Sequence, residues 1–337
     1  MGVDRCVCIG RDATMWRLYG SMAYITVAMG GSTPVRFTSF SLRSSHFPWY
    51  DSRMRHGFLL IDKPLGPTSH DAVGMVRRAL AERSIGHLGT LDPAASGLLV
   101  LAVGAKALKV VELFKDLTKE YEAEVTFGAV STTYDKEGVI EEVTQKPGWT
   151  VPLLLAIRDA IEAKFLGRIF QVPPAYSAVK IGGERAYKSA REGKDVVMPE
   201  REVHIHSCTI LSYEYPKLLL RVACGSGTYI RSLAHDLGIA VRSGGYLSAL
   251  RRTKVGEGSV DNACAPADAK WTRVMPLKEV LASFPRLDLT DEEFVNVGHG
   301  RDLPRSIKEQ TIGWHGDLPV CVLVPTEDGK THARKVL

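Results

Sequence analysis

The chain has 337 residues, of which 45% are hydrophobic and 24% charged, and its net charge at pH 7 is +5. This is globular composition, long enough for one large domain and one small one, and it excludes a mostly disordered chain. Apolar runs such as residues 98–103 are too short to cross a membrane. The six cysteines form no Cys-x-x-Cys pair, which favours a reduced, cytoplasmic compartment. The mild positive charge permits a nucleic-acid partner without demanding one.

Residues 1–53 differ in composition from the rest of the chain. They contain six arginines and no lysine, and no acidic residue lies between Ala13 and Tyr50. An acid-poor segment with Arg and Ser is typical of a transit peptide. The interpretation that we favour is a leader that is disordered or that reflects a start placed too early, with Met54 as the true start.

From residue 57 onward, strand-like and helix-like patterns alternate. Ser69 is predicted to cap a helix in which Val73, Val76 and Leu80 recur at helical spacing. Residues 121–127 alternate apolar and polar side chains, which predicts a strand with one buried face. The other predicted elements are strands at 58–61, 98–103, 203–215, 218–223 and 320–324, and helices at 107–117, 152–166 and 228–241.

The order of these elements predicts an α+β fold. We expect a mixed, largely antiparallel sheet flanked by helices, followed by a small β-rich domain. The regular alternation of a doubly wound fold is missing, and so are the Gly-x-Gly-x-x-Gly and P-loop lysine motifs. An enzyme that uses a nucleotide cofactor therefore has no support.

A candidate nucleophile, Asp92, lies in the glycine-rich segment GHLGTLDPAASG at residues 86–97. An isolated Asp-Pro pair is more often a helix N-cap followed by proline at the first helical position. The surrounding glycines and the apolar run directly after them favour a carboxylate held at the rim of a sheet. Such a carboxylate suits nucleophilic work, because it cannot relax away.

A cationic partner for Asp92 is predicted in the segment CGSGTYIRSLAHDLG at residues 224–238. Arg231 falls in the first turn of the predicted helix, where a solvated surface arginine is commonplace. The functional alternative pairs Arg231 with Asp92 and keeps the carboxylate ionised and oriented. The glycines before this helix could also cradle a phosphate, although that signal is weak.

The segments GHLGTLDP and GTYIRSL resemble the tRNA pseudouridine synthases of the TruB type. Further segments agree in the same order: GFLLIDKPLG from residue 57, KEYEAE from 119, PPAYSAVK from 173, GERAY from 183 and LRR from 250. The resemblance covers residues 57–337, most securely 57–255. It leaves out the leader, which supports Met54 as the start.

The resemblance implies an isomerase that converts uridine at position 55 of the tRNA T-arm loop to pseudouridine after flipping the base. It implies no cofactor, no metal and no obligatory protein partner besides the tRNA substrate. Asp92 is expected to be the catalytic nucleophile. Tyr121 is expected to be the active-site tyrosine that packs against the target base, and Arg231 the partner of the nucleophile.

Substrate contacts are also implied by the resemblance. His87 is expected to help hold the flipped-out loop, and Tyr229 and Leu250 to line the uridine pocket together with Tyr121. Contacts with the RNA backbone are expected from four cations, whose alternative role is a solvated charged face. These cations are Lys180, Arg185, Arg251 and Arg252.

We expect residues 54–284 to form the catalytic domain and residues 285–337 a small PUA-like RNA-binding domain. Two alternatives stay open: a tRNA-binding or folding factor without catalysis, and a guide-RNA-dependent relative of the family. His204 and His206 on one strand face suggest a metal pair, but the sequence places no third ligand nearby, which favours solvent-facing residues.

Overall fold

The computed structural model describes residues 56–177, 186 and 197–337 in full. It describes only the backbone of residues 180–181 and 184–185 and of two strands before residue 56. The chain divides into two units, residues 1–53 and residues 54–337. Apart from those two strands, which pair antiparallel, the predicted leader lies outside the described residues.

The strands, in chain order, are β1 (Trp16–Tyr19), β2 (Met22–Ile25), β3 (Gly57–Lys63), β4 (Ile85–Leu88), β5 (Ala95–Val103), β6 (Lys119–Phe127), β7 (Ala129–Ser131), β8 (Ile140–Glu142), β9 (Gly167–Gln171), β10 (Lys180–Ile181), β11 (Glu184–Arg185), β12 (Arg201–Glu214), β13 (Lys217–Cys224), β14 (Gly245–Val255), β15 (Gly258–Ser259), β16 (Met275–Pro276), β17 (Arg286–Asp288), β18 (Thr311–His315), β19 (Leu318–Pro325) and β20 (Thr331–Val336). The helices are α1 (Ser69–Leu80), α2 (Ala105–Val110), α3 (Leu154–Lys164), α4 (Ile230–Ala240), α5 (Leu277–Val280) and α6 (Asp291–Gly298).

A ten-stranded sheet forms the centre of the second unit, as far as the chain is described. Its strands follow the order β16-β3-β5-β14-β6-β13-β12-β9, with β4 paired to β5 and β15 to β14. Within this sheet β5 and β14 run parallel, whereas the other pairs are antiparallel. The predicted mixed, largely antiparallel sheet flanked by helices is confirmed.

Strand β5 is buried on both faces, which explains its unbroken apolar sequence. Leu99 and Leu101 pack in a cluster with residues of α1, α3 and α4 on one face. Leu98 and Val100 pack on the other face, in a cluster with residues of β18 and β19. This strand therefore joins the helical layer to the C-terminal part of the chain.

Strand β6 shows the predicted alternation. Tyr121, Ala123, Val125 and Phe127 are buried on the face that α4 covers, and the glutamates between them are partly exposed. Period-two burial of this kind is the expected result when one face of a strand packs and the other meets water. Tyr121 is consequently brought to the same layer as α4.

The helices differ from the predictions at their ends. The N-cap of α1 is Thr68 rather than Ser69: its hydroxyl accepts from the N–H of Asp71, whose carboxylate accepts from the N–H of Thr68. The helix predicted over residues 107–117 is shorter, because α2 passes at the β-branched Val111 into a single 3₁₀ turn. None of the helices in the described ranges has the length and apolarity that a bilayer crossing requires.

The C-terminal strands β17–β20 form a second, four-stranded sheet in that order. A small cluster that includes Leu289, Val297 and Leu323 fills one side of it. Its other side contributes Ile312 and Trp314 to the cluster shared with β5. A boundary at residue 284 stays a prediction, because the two sheets share one apolar cluster.

Candidate active site

Asp92 lies in a tight turn between β4 and β5. The N–H of Ala95 donates to the Asp92 carbonyl at 3.0 Å. The neighbouring Leu91 makes two hydrogen bonds of 2.8 Å with the Ser69 hydroxyl, one through its N–H and one through its carbonyl. The chain then enters β5 and no helix, so the N-cap alternative for Asp92 is wrong. The carboxylate is carried by a backbone that is fixed on both sides.

Arg231 lies in the first turn of α4 and joins two carboxylates. One Nη atom is 3.1 Å from Oδ2 of Asp92, and the other is 3.2 Å from Oδ2 of Asp135. The guanidinium also donates to the carbonyls of Tyr176 at 3.1 Å and Thr133 at 3.4 Å. Its side chain is only 9% exposed, so the alternative of a solvated surface arginine is wrong.

The second carboxylate, Asp135, is one that the sequence does not single out. It lies in the turn of the β7–β8 hairpin, where aspartate is an ordinary turn residue. Its side chain is 8% exposed, and it accepts from the Thr133 hydroxyl at 2.6 Å and the N–H of Glu137 at 3.0 Å. A carboxylate this deeply buried needs such partners together with a cation. Its importance becomes visible only when α4 is packed against the hairpin.

A cavity of about 440 Å³ opens beside the Asp92 carboxylate. Six of the predicted site residues line it: Asp92, Tyr121, Tyr229, Arg231, Leu250 and Arg252. The glycine-containing loop that precedes α4 lines it as well. The volume is in the range of small-ligand sites and accommodates one nucleotide.

His87 is not among the residues that line this cavity, although it lies near on β4. Burial lowers the pKa of His87, and the positive charge of Arg252 lowers it further. The imidazole is therefore neutral at pH 7. Its expected contact with an RNA loop stays a prediction.

The Tyr121 side chain is almost completely buried at the cavity wall. Burial raises the pKa of its hydroxyl, while a hydrogen bond from Arg252 acts in the opposite direction. Tyr121 is therefore a neutral phenol at physiological pH. It presents an aromatic surface together with a proton that can be donated.

Arg252 is enclosed in the protein. It is 1% exposed, and it donates to the carbonyls of Leu98 at 2.7 Å and Gly89 at 3.1 Å as well as bonding Tyr121. Gly97 permits this arrangement: at φ +103°, any Cβ there would lie 2.2 Å from the Arg252 carbonyl oxygen. Arg252 also lines the cavity, and its expected contact with the RNA backbone stays a prediction.

The other three predicted backbone contacts stay predictions. Arg251 points to the opposite face of β14 from Arg252 and forms two bonds with the Asp62 carboxylate, at 3.1 and 2.9 Å. This pair is partly exposed and raises the pKa of Arg251. The side chains of Lys180 and Arg185 lie outside the described residues.

Two lysines add positive charge around the nucleophile. Lys63 is fully buried and donates to two backbone carbonyls at 2.9 and 2.8 Å; burial lowers its pKa, and Asp92 opposes that change. Lys119 lines the cavity, and its pKa is lowered by burial and by Arg252. Together with the guanidinium of Arg231, these groups favour an anionic ligand.

The start of α4 is fixed by a pair of hydrogen bonds from β9. Gln171 accepts from the N–H of Tyr229 at 2.8 Å and donates to its carbonyl at 2.9 Å. The guanidinium of Arg201 lies 5.3 Å from the Tyr229 ring centroid. The backbone of Tyr229 is thus fixed two residues before Arg231, and its ring lies at the cavity.

The two histidines on β12 have ring centroids 4.3 Å apart, and His206 lies within 3.4 Å of the Thr118 hydroxyl. Over the described part of the chain, no three His, Cys, Asp or Glu side chains converge to hold a metal ion. His204 and His206 lie on the exposed face of β12, in agreement with the prediction that they face solvent.

Comparison with known proteins agrees with this geometry. Residues 77–230 match the model of the TruB family pseudouridylate synthase N-terminal domain. A relative from Mycobacterium sp. (strain KMS) named tRNA pseudouridine synthase B is 40% identical over 289 residues, covering 83% of this chain and 95% of that protein. A relative of the same name from Leifsonia xyli subsp. xyli (strain CTCB07) is 41% identical over 278 residues, covering 80% of this chain and 89% of that protein.

Among solved structures, a chain in the crystal structure of a Cbf5-Nop10-Gar1 complex is similar. It has 26% sequence identity and a TM-score of 0.61, with 85% of each chain covered. The sequence matches and the shared fold lead to one conclusion: this chain belongs to the TruB family of pseudouridylate synthases.

Proposed function

We propose that the protein converts uridine to pseudouridine at position 55 in the T-arm loop of tRNA, with Asp92 as the nucleophile. The observation that carries this proposal is the half-exposed Asp92 carboxylate, paired with buried Arg231 at the edge of a nucleotide-sized cavity. The names of the bacterial relatives support tRNA as the substrate.

The reaction is an isomerisation in which no atom is gained or lost overall. The bond from N1 of the uracil to C1′ of the ribose breaks, the ring turns, and C5 forms a new bond to C1′. The proton on C5 leaves to solvent, and N1 takes up a proton in its place. The Asp92 carboxylate can attack C1′ or C6, or assist loss of a C2′ proton. Each route needs an ionised carboxylate of fixed direction, which the Arg231 contact provides.

The cavity accounts for recognition of a flipped base. Moving a base out of its stack costs a few kcal/mol. Stacking on an aromatic side chain returns about 1–3 kcal/mol per base. Tyr121, Tyr176 and Tyr229 all line the cavity and are aromatic residues placed to offer this contact.

The neutral Tyr121 hydroxyl adds a proton donor at the reacting ring. Its raised pKa keeps the proton in place until the ring or the developing charge can accept it. The cluster of cations behind Asp92 attracts the phosphates on either side of the target. This attraction predicts an RNA affinity that falls as salt rises.

Residues 285–337 are proposed to add RNA contact as a PUA-like domain. In support, the partly exposed Arg286 lies 4.5 Å from the ring centroid of the buried Trp314, and Phe294 stacks on His315 at the surface of the second sheet. The exposed cation suits contact with an RNA backbone, and the exposed ring pair suits contact with bases. Arg251, whose side chain the structure describes, is also proposed to contact the RNA backbone.

A cytoplasmic location and action without an obligatory protein partner are also proposed. The four cysteines in the described ranges are free thiols, as expected in a reducing compartment. They are Cys208, Cys224, Cys264 and Cys321.

The test uses an unmodified tRNA transcript tritiated at uridine C5. Wild-type protein without added cofactor should release one equivalent of tritium per tRNA, and a transcript with cytidine at position 55 should release none. The Asp92→Asn variant should release none, because its amide cannot act as a nucleophile. Asp261→Asn is the matched control, since this aspartate is exposed and bonds only Ser259.

Three outcomes would count against the proposal. Binding of tRNA without tritium release by the wild type would indicate a binding factor. Release from the cytidine-55 transcript would indicate another target position. Release by Asp92→Asn at the wild-type rate would remove Asp92 as the nucleophile.

A further inference from the structure

Two aromatic rings stack directly beside the ion pair. The rings of Tyr134 and His235 have centroids 4.0 Å apart and planes within 10° of parallel. Tyr134 immediately precedes Asp135 in the hairpin turn. His235 follows Arg231 by one helical turn on the same face of α4. Tyr134, next to Asp135, therefore packs against His235, one turn after Arg231.

The hairpin that carries Asp135 is short, and backbone contacts with Leu247 on β14 and a bond from Arg231 to the Thr133 carbonyl attach it to the rest of the fold. β7 and β8 are three residues each, and every residue of β8 is exposed. Tyr134 has φ +64°, a left-handed conformation that a non-glycine residue adopts only when its surroundings enforce it. Its carbonyl accepts from the N–H of Leu247 on β14 at 3.0 Å.

Helix α4 packs closely on the sheet. A Cβ on Gly238 would lie 2.2 Å from the backbone nitrogen of Gly245, so the helix backbone rests directly on β14. His235 is three residues from this contact. The stack thus adds a side-chain contact between the turn of Asp135 and a helix that packs closely on the sheet.

We propose that Tyr134 and His235 are positioning residues: their stack fixes Asp135, and through Asp135 it fixes the guanidinium of Arg231 against Asp92. Neither residue lines the cavity, so they act on the ion pair and not on the substrate. The inference rests on the proposed function for its kinetic consequence. Its structural part, coupling between His235 and Asp135, is independent of that function.

The kinetic test compares His235→Ala with His235→Phe, measuring single-turnover tritium release with enzyme in saturating excess. The alanine variant should react about three- to ten-fold more slowly, which corresponds to the contribution of an aromatic pair, while its Kd for tRNA is unchanged. The phenylalanine variant keeps a planar ring and should regain the wild-type rate. Tyr134→Asn removes the other ring and tolerates the left-handed backbone, so it should match His235→Ala.

The matched control is His204→Ala. It removes a ring contact of similar distance, with centroids 4.3 Å apart, between His204 and His206 on the exposed face of β12. Its single-turnover rate constant within the saturated complex should equal that of the wild type. A wild-type rate for His235→Ala, or a slow rate for His235→Phe, would overturn the inference.

A second measurement needs no activity. Urea unfolding of wild type, His235→Ala, Asp135→Asn and the double variant forms a double-mutant cycle. The combined change in the unfolding equilibrium constant should fall short of the product of the single changes by about threefold or more. Strict additivity would overturn the inference even if the wild type released no tritium, an outcome that by itself would refute only the proposed function.

Discussion

The turn of Asp92 and the turn of Asp135 deliver the same chemical group to the same arginine. The two carboxylates lie 3.1 and 3.2 Å from the guanidinium of Arg231. They differ in exposure: the Asp92 side chain is 45% exposed and opens on the cavity, whereas that of Asp135 is 8% exposed. A carboxylate that water can reach can also be reached by a substrate. The enclosed one can only orient the cation, so solvent access separates reactivity from positioning.

The largest effect is expected when the shared partner is removed. Arg231→Met leaves two carboxylates without their cation, one of them buried, and should lower the free energy of unfolding by about 3–5 kcal/mol. Tritium release should fall below detection, because Asp92 loses its orientation. Urea denaturation and the tritium assay measure the two effects.

The control for this variant is Arg221→Met on the exposed sheet face. Arg221 pairs with Glu122 at 2.9 Å, but its side chain is 48% exposed, so its loss should leave the free energy of unfolding close to that of the wild type. Equal stability of the two variants would contradict the view that Arg231 holds two carboxylates together.

A smaller effect is expected from the enclosed carboxylate alone. Asp135→Asn keeps the oxygen that accepts from Thr133 and Glu137 but removes the charge that balances Arg231. Arg231 then keeps only one of its two charged partners and is less firmly oriented. The single-turnover rate should fall on the order of 10²-fold, the effect of a small misplacement of a reacting group. The Kd for tRNA should not change.

Glu122→Gln is the corresponding neutralisation at the exposed ion pair and should leave the rate within about twofold. If Asp135→Asn reacted as fast as this control, the assignment of a positioning role to the enclosed turn would be lost.

The smallest effect concerns a third aspartate, on the same helix as Arg231. Burial raises the pKa of Asp236 to about 6, and no cation pairs with it among the described residues. Since its pKa in the folded state lies above the ordinary value of 3.8, its contribution to stability is complete below pH 3.8 and is lost as the pH rises through 6.

Asp236→Asn should therefore be more stable than the wild type at pH 7 and equal to it near pH 4. A shift of this size, reduced because water reaches part of the carboxyl group, corresponds to on the order of 1–2 kcal/mol. Urea denaturation across this pH range measures the difference. An unchanged difference from pH 4 to pH 7 would show that Asp236 does not titrate in this window.

Local patterns predict the secondary structure where burial is simple. β5 is buried on both faces and reads as a continuous apolar run, and β6 alternates because one face meets water. The predicted Ser69 cap was wrong by one residue, because the Ser69 hydroxyl bonds Leu91 across the site instead. Strand alternation turns Arg252 inward and Arg251 outward, so adjacent arginines with the same predicted role have different surroundings.

By itself, the sequence determined the family motifs, the α+β class and the candidate pair of Asp92 and Arg231, since each of these is written in short segments of fixed residue order. The tertiary structure alone decided that Asp135 shares Arg231, that Arg252 is enclosed and that Tyr134 stacks on His235. The physical reason is range. Charge pairing and ring stacking act between side chains within a few ångströms in space, whatever their separation along the chain, and only the packing of α4 on the sheet brings these side chains together.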